Sequence, residues 1–101
     1  MKLSVVIPSH NEEGCIEECV TNLVKTLRKE TIHSEILVVN DNSKDATESI
    51  LQQLSNEFIE VRYINNPFSN GFGFAIRAGL ENYSGDVVAT VMADGTLLKM
   101  W

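Results

Sequence analysis

Three groups of polar residues stand directly after short apolar runs: Pro8-Ser9-His10-Asn11-Glu12, then Asp41, then Asp94. Strand ends of this kind are where open α/β sheets gather ligands. A carboxylate there can hold a hard divalent cation, and Asp94 is the best metal candidate, for Mg2+ or Mn2+. Asp41 can accept a hydrogen bond from a nucleobase. Gly71 and Gly73 precede an apolar helical pattern and would let backbone approach a phosphate at a helix N-terminus. Each residue also has a plainer reading. Asp41 can cap a turn, Asp94 can be a turn residue, and the two glycines can make a tight turn. A dinucleotide fingerprint would sit after the first strand, where PSHNEEG places acids instead of bare N–H groups. P-loop, Ser-His-Asp and zinc spacings are absent.

The elements that must position these residues are legible from periodicity. Residues 3–7, 35–40, 61–64 and 86–92 read as strands, the second and fourth apolar without alternation and so buried on both faces. Arg62 and Tyr63 interrupt the third, which suits a sheet edge. Pro8 is expected to stop the first strand. Asn11 can then cap a helix over 12–29, with Glu12 and Glu13 in its first turn. A second helix, capped by Ser43 or Asp45, runs to about residue 55. A third runs from about 74 to 83, with Ala75, Ala78 and Gly79 small enough for close packing and Gly85 as its stop. The β-α-β-α-β-α-β pattern implies a Rossmann-like parallel sheet of order 3-2-1-4 with helices on both faces. Three polar strand ends then converge on one crevice, which favours a nucleotide-type ligand.

Composition sets the outer bounds. The 101 residues are one domain or part of one, 44% hydrophobic and 22% charged, as in soluble globular proteins. A net charge of −6 argues against non-specific nucleic-acid binding. No apolar run reaches the roughly 18 residues of a membrane helix, and no signal peptide is expected. Cys15 and Cys19 read as small core residues, and their use without disulfides fits a reducing, cytoplasmic setting. His33 reads as solvated. Residues 96–101 carry no turn signal or period. The apolar fourth strand is left with an open edge, so self-association through residues 86–92 is expected.

Four segments in order, VVIPSHNEE, ILVVNDNSKDAT, NGFGFAIRAG and GDVVATVMADG, resemble the family 2 glycosyltransferases with a GT-A fold. The spacing is most similar to the dolichyl-phosphate-mannose and polyprenyl-phosphate-sugar synthase branch. The resemblance covers residues 3–95, the N-terminal half of such a fold. It implies metal-dependent transfer of a sugar from a nucleoside diphosphate, in the full-length form to a polyprenyl phosphate or other acceptor and at a membrane. By motif match, Pro8, Asn11 and Glu12 would border the nucleoside and Asp41 would contact the base. Gly71, Gly73 and Arg77 would flank the diphosphate. Asp94 would be the second aspartate of D-x-D.

Two departures qualify the resemblance. Met92 stands where the first aspartate of D-x-D belongs, and a thioether is a poor ligand for Mg2+ or Mn2+. After residue 95 the chain gives TLLKMW in place of the family's polar continuation. The expectation is a nucleotide-sugar-binding portion over 1–95 with a divergent tail over 96–101, truncated and inactive in transfer. The alternatives are a non-catalytic nucleotide-binding module and a structural remnant.

Overall fold

The apolar runs pair as strands in the computed structural model, which describes residues 1–67, 71–92 and 97–100. The order is β1 (Leu3–Ser9), α1 (Ile16–Lys29), β2 (Ser34–Asn40), α2 (Thr47–Glu57), β3 (Val61–Asn65), α3 (Phe72–Asn82), β4 (Val87–Val91) and β5 (Leu97–Met100). β1 pairs in parallel with β2 and β4, and β3 in parallel with β2. The sheet order is β3-β2-β1-β4-β5. The expected 3-2-1-4 arrangement is present, with the chain reversing its direction of growth at β1.

The near-continuous apolar character of β1 and β2 follows from helices on both faces. Val5, Ile7, Ile36 and Val38 pack with Ile16, Val20 and Val24 of α1 and Leu51 of α2. Val6, Leu37 and Val39 pack on the other face with Ala75 and Ala78 of α3. Gly79 lets α3 lie close, since a Cβ there would collide with the Val6 side chain. β3, with its mixed side chains, forms the sheet edge as expected.

Several boundaries differ from the sequence reading, each for a local reason. β1 continues through Pro8 to Ser9. Leu3 N donates to His33 O and Asp41 N to Ser9 O, so odd residues of β1 address β2 and even residues address β4. Pro8 therefore turns its missing N–H toward β4, where pairing has already ended at Val6↔Thr90. α1 begins at Ile16 with Cys15 at its cap position, and its first-turn acids are Glu17 and Glu18, not Glu12 and Glu13. Asn11 does not cap it, because Asn11 sits in the left-handed region (φ 52) and accepts instead from Lys44 N at 2.7 Å. α3 begins at Phe72, so Gly73 lies inside its first turn, and it ends at Asn82, before Gly85. Gly85 packs on β1 and donates its N–H to Ser4 Oγ at 2.8 Å. The cysteines are half-buried against the core and are not joined to each other, and His33 is exposed.

The tail is the largest difference. Residues 97–100 form β5, antiparallel to β4 with Ala89 opposite Met100 and Thr90 opposite Lys99. β5 thus covers the edge of β4 that self-association through residues 86–92 would use.

At the end of the sheet where β1 begins, Glu35 is a buried carboxylate. Ser4 Oγ and Ser84 N each donate to Oε2 at 2.6 Å, and Arg62 Nε donates to Oε1 at 2.9 Å. Burial opposes the charge, but the Ser4 hydroxyl, the Ser84 N–H and Arg62 outweigh it and lower the carboxyl from 4.5 to about 2. The folded value lies below the unfolded one. The stabilisation is therefore complete above about pH 4.5 and is lost as pH falls toward 2. A shift of this size corresponds to about 3 kcal/mol. Denaturant melts should show Glu35→Gln destabilised at neutral pH and flatter than wild type between pH 4.5 and 2.5. Equal slopes in the two proteins would place the acid sensitivity elsewhere.

Candidate functional site

At the opposite end of the sheet, the C-terminal ends of β1, β2 and β4 and the start of α3 enclose a cleft of about 450 Å³. Pro8 lines it from the end of β1, His10 and Glu12 from the loop that follows, Asp41 from just after β2, Met92 from just after β4, and Gly71 and Ala75 from the cap and first turn of α3. A parallel sheet puts these ends together by construction.

Asp41 is only 6% exposed and bonded on every side. Its N–H donates to Ser9 O at 2.7 Å, and its carbonyl accepts from His10 Nδ1 at 2.6 Å. Its carboxylate accepts from Asn66 Nδ2 at 2.9 Å through Oδ1 and from Gly71 N at 3.1 Å through Oδ2. Gly71 occupies φ 140, a region that favours glycine, and there the chain turns into α3 with its N–H on Asp41. A buried charge needs such partners. Among the described residues each oxygen has one such donor, and a carboxylate oxygen can accept a second.

The loop after β1 is held by the loop after β2. Asn11 N donates to Ser43 Oγ at 3.0 Å, Glu12 N to Thr47 Oγ1 at 2.9 Å, and Glu13 N to Asp45 Oδ2 at 3.3 Å. Ala46 N returns a bond to Glu13 Oε2 at 3.3 Å. The Thr47 hydroxyl also donates to Asp45 Oδ1, and this bond keeps the Asp45 carboxyl below its usual range. Neither Ser43 nor Asp45 is the cap of α2: Ala46 occupies that position, Ser43 Oγ is taken by Asn11 N, and Asp45 lies one residue earlier, accepting from Thr47 N at 2.9 Å. Asn11 and Asn42 both have positive φ (52 and 55), which asparagine tolerates better than other non-glycine residues.

The structure brings Pro8, Glu12, Asp41 and Gly71 to one cleft, with Asn11 fastened beside them. Gly73 and Arg77 lie on an adjoining concavity of about 420 Å³, which meets the cleft at Gly71 and includes Phe74. Arg77 pairs there with Glu81 at 3.5 Å. Asp94 lies outside the described residues. Among the described residues, no group of three or more His, Cys, Asp or Glu could hold a metal ion. Met92, half-buried, offers the cleft a thioether, and its carbonyl accepts from Cys19 Sγ at 3.8 Å. Cys15 Sγ donates to Glu12 Oε2 at 3.2 Å, so the thiols support cleft residues as well as the core. Sequence reasoning placed Ser9 and His10 in the polar stretch at the end of β1 but gave neither a role, and it missed Asn66. Ser9 lines the cleft, and its buried Oγ has no hydrogen-bond partner among the described residues.

The family model described as glycosyl transferase family 2 matches residues 4–101. A dolichyl-phosphate beta-glucosyltransferase of Trichomonas vaginalis is 35% identical over 98 residues, covering 92% of this chain and 30% of that protein. S. aureus TarS in complex with UDP-GlcNAc superposes with a TM-score of 0.75 at 29% identity, covering 93% of this chain and 27% of that one. A mannosyltransferase from Pyrobaculum calidifontis, in complex with GDP-Man and Mn2+, superposes with a TM-score of 0.78. Its identity is 23%, covering 93% of this chain and 28% of that one, so it bears on the fold alone. The chain spans about three-tenths of the length of the relatives it matches.

Proposed function

This chain belongs to glycosyl transferase family 2, and we propose that its cleft takes the nucleoside diphosphate end of an activated sugar. One observation carries the reading: a buried carboxylate, Asp41, is fixed at the ligand end of the sheet with acceptor capacity toward the cleft. A base N–H is a fitting donor to it. Pro8, Asn11 and Glu12 border the nucleoside. The diphosphate lies toward α3, whose first N–H groups lack helical partners, with Gly71, Gly73 and Arg77 beside it.

Residues 1–95 are the donor-binding portion of a GT-A domain and 96–101 a divergent tail. In a longer form the acceptor is a lipid phosphate such as a polyprenyl phosphate, in keeping with the dolichyl-phosphate relative. The setting is cytoplasmic, with the longer form at a membrane surface. No helix among the described residues is long and apolar enough to cross a membrane. Self-association through residues 86–92 would require β5 to leave the edge of β4.

A divalent cation would be held through Asp94 and would offset charge on the diphosphate. The described residues alone do not suit it, since Met92 presents sulfur where a carboxylate would serve better. Met92 also favours a second reading, a nucleotide-binding module without turnover. On either reading these 101 residues bind a donor without transferring its sugar. Transfer needs a base near the acceptor and a bound acceptor. Glu12 and Asp41 are assigned to the nucleoside on this reading, and Glu81 and Asp86 lie away from the cleft's lining.

Calorimetry tests the reading. Asp41→Ala should weaken nucleoside diphosphate binding by about 1–3 kcal/mol, the usual cost of a lost hydrogen bond to a charged group. Unchanged affinity in a folded variant would remove Asp41 from the site. Met92→Asp should make nucleotide affinity rise with added Mn2+ more steeply than in wild type, because a carboxylate suits a hard cation better than a thioether. Equal Mn2+ dependence in the two proteins would remove position 92 from the metal's surroundings.

A further inference from the structure

We infer that Asn66 is a positioning residue that decides which nucleobases the cleft accepts, an inference that rests on the cleft's being the nucleotide site. Asn66 belongs to none of the four sequence motifs. It follows β3 directly and is 7% exposed. Its N–H donates to Asn40 O at 2.9 Å, which carries the β2–β3 ladder one step past the pair Asn40↔Asn65. Side chains alternate along a strand. Asn65 turns to Asn40 and Glu48, and Asn66 turns to the other face, where it meets Asp41. The ladder, and not the loop that follows, sets the place of this amide.

The consequence lies in the Asp41 carboxylate. Asn66 Nδ2 holds Oδ1 at 2.9 Å while Gly71 N holds Oδ2 at 3.1 Å. Two donors on two oxygens fix the plane of the group and the directions of its remaining lone pairs. An ionised carboxylate is acceptor-only. Uracil N3 and guanine N1 carry a hydrogen and suit such an acceptor. The matching ring nitrogens of cytosine and adenine carry a lone pair and meet it unfavourably. A fixed carboxylate therefore rejects cytosine and adenine by repulsion as well as selecting uracil and guanine by bonding. A carboxylate freed to rotate can move to the exocyclic amino group of cytosine or adenine and lose the distinction.

The test is calorimetry with UDP, GDP, CDP, ADP and inorganic pyrophosphate on wild type, Asn66→Ala and Asn66→Asp, with thermal melts confirming the fold. Asn66→Asp keeps the shape and replaces the donor with an acceptor. Wild type should bind UDP or GDP about tenfold more tightly than CDP or ADP, the scale of one mismatched buried hydrogen bond. Each variant should cut that ratio about threefold or more and leave pyrophosphate affinity within about twofold, because only the base edge is affected. A purely structural role would weaken every ligand together and leave the ratio in place. An unchanged ratio in folded variants would overturn the inference and leave the nucleotide reading standing. A wild type that binds the four nucleotides equally would also overturn it. A wild type that binds none of them would overturn both. Unfolding of both variants would make Asn66 a folding residue and overturn the positioning role.

Discussion

A carboxylate buried at the end of a parallel sheet needs hydrogen bonds to replace the water it has lost, and Asp41 takes its partners from around the end of β1 and from the segments after β3 and before α3. Its main chain joins Ser9 and His10 at the end of β1, and its side chain joins Asn66 after β3 and Gly71 before α3. Removing this one acceptor would leave a buried amide and a backbone N–H without their partner, a cost of about 1–3 kcal/mol each. The loop after β1 is in turn fastened to the loop after β2 through Asn11, Glu12 and Glu13. The cleft is thus shaped before any ligand arrives, which lowers the ordering cost of binding.

The two ends of the sheet show why volume alone does not identify a site. The end opposite the cleft has a concavity of about 470 Å³, with Lys2, Glu35, Glu60 and Arg62 among its lining. Its charged side chains are engaged within the fold: Arg62 pairs with Glu35, Arg28 pairs with Glu60, and Lys2 Nζ donates to the Ser84 hydroxyl at 2.8 Å. These contacts hold the fold together. At the cleft end, among the described residues, each Asp41 oxygen has a single side-chain or main-chain donor and the Ser9 hydroxyl has no partner, so that end has bonding left to offer a ligand.

Much of this was legible in the sequence where the physics is local. Apolar runs without alternation within residues 35–40 and 86–92 marked strands covered on both faces, and Arg62 and Tyr63 marked the edge. Asp41 was legible because a carboxylate directly after a buried strand has few other places to be. Contacts set by pairing across the sheet were not legible. Asn66 reaches Asp41 only because the β2–β3 register carries it there, and Glu35 meets Arg62 across 27 positions. The start of α1 was misplaced because Asn11 and the two glutamates after it are committed to the neighbouring loop. β5 was hidden because four residues without a turn signal carry too little pattern to mark a strand.

The central claim is that this chain binds a nucleoside diphosphate at the end of the sheet organised by Asp41. Amide chemical-shift mapping on 15N-labelled protein titrated with UDP and with GDP tests it directly. The account predicts that at least one of the two moves the amides of Ser9, His10, Glu12, Asp41, Asn66 and Gly71, while those of Lys2, Glu35, Arg62 and Ser84 stay in place. Shifts centred on Lys2, Glu35, Arg62 and Ser84, or none with either nucleotide at saturating concentration, would contradict it.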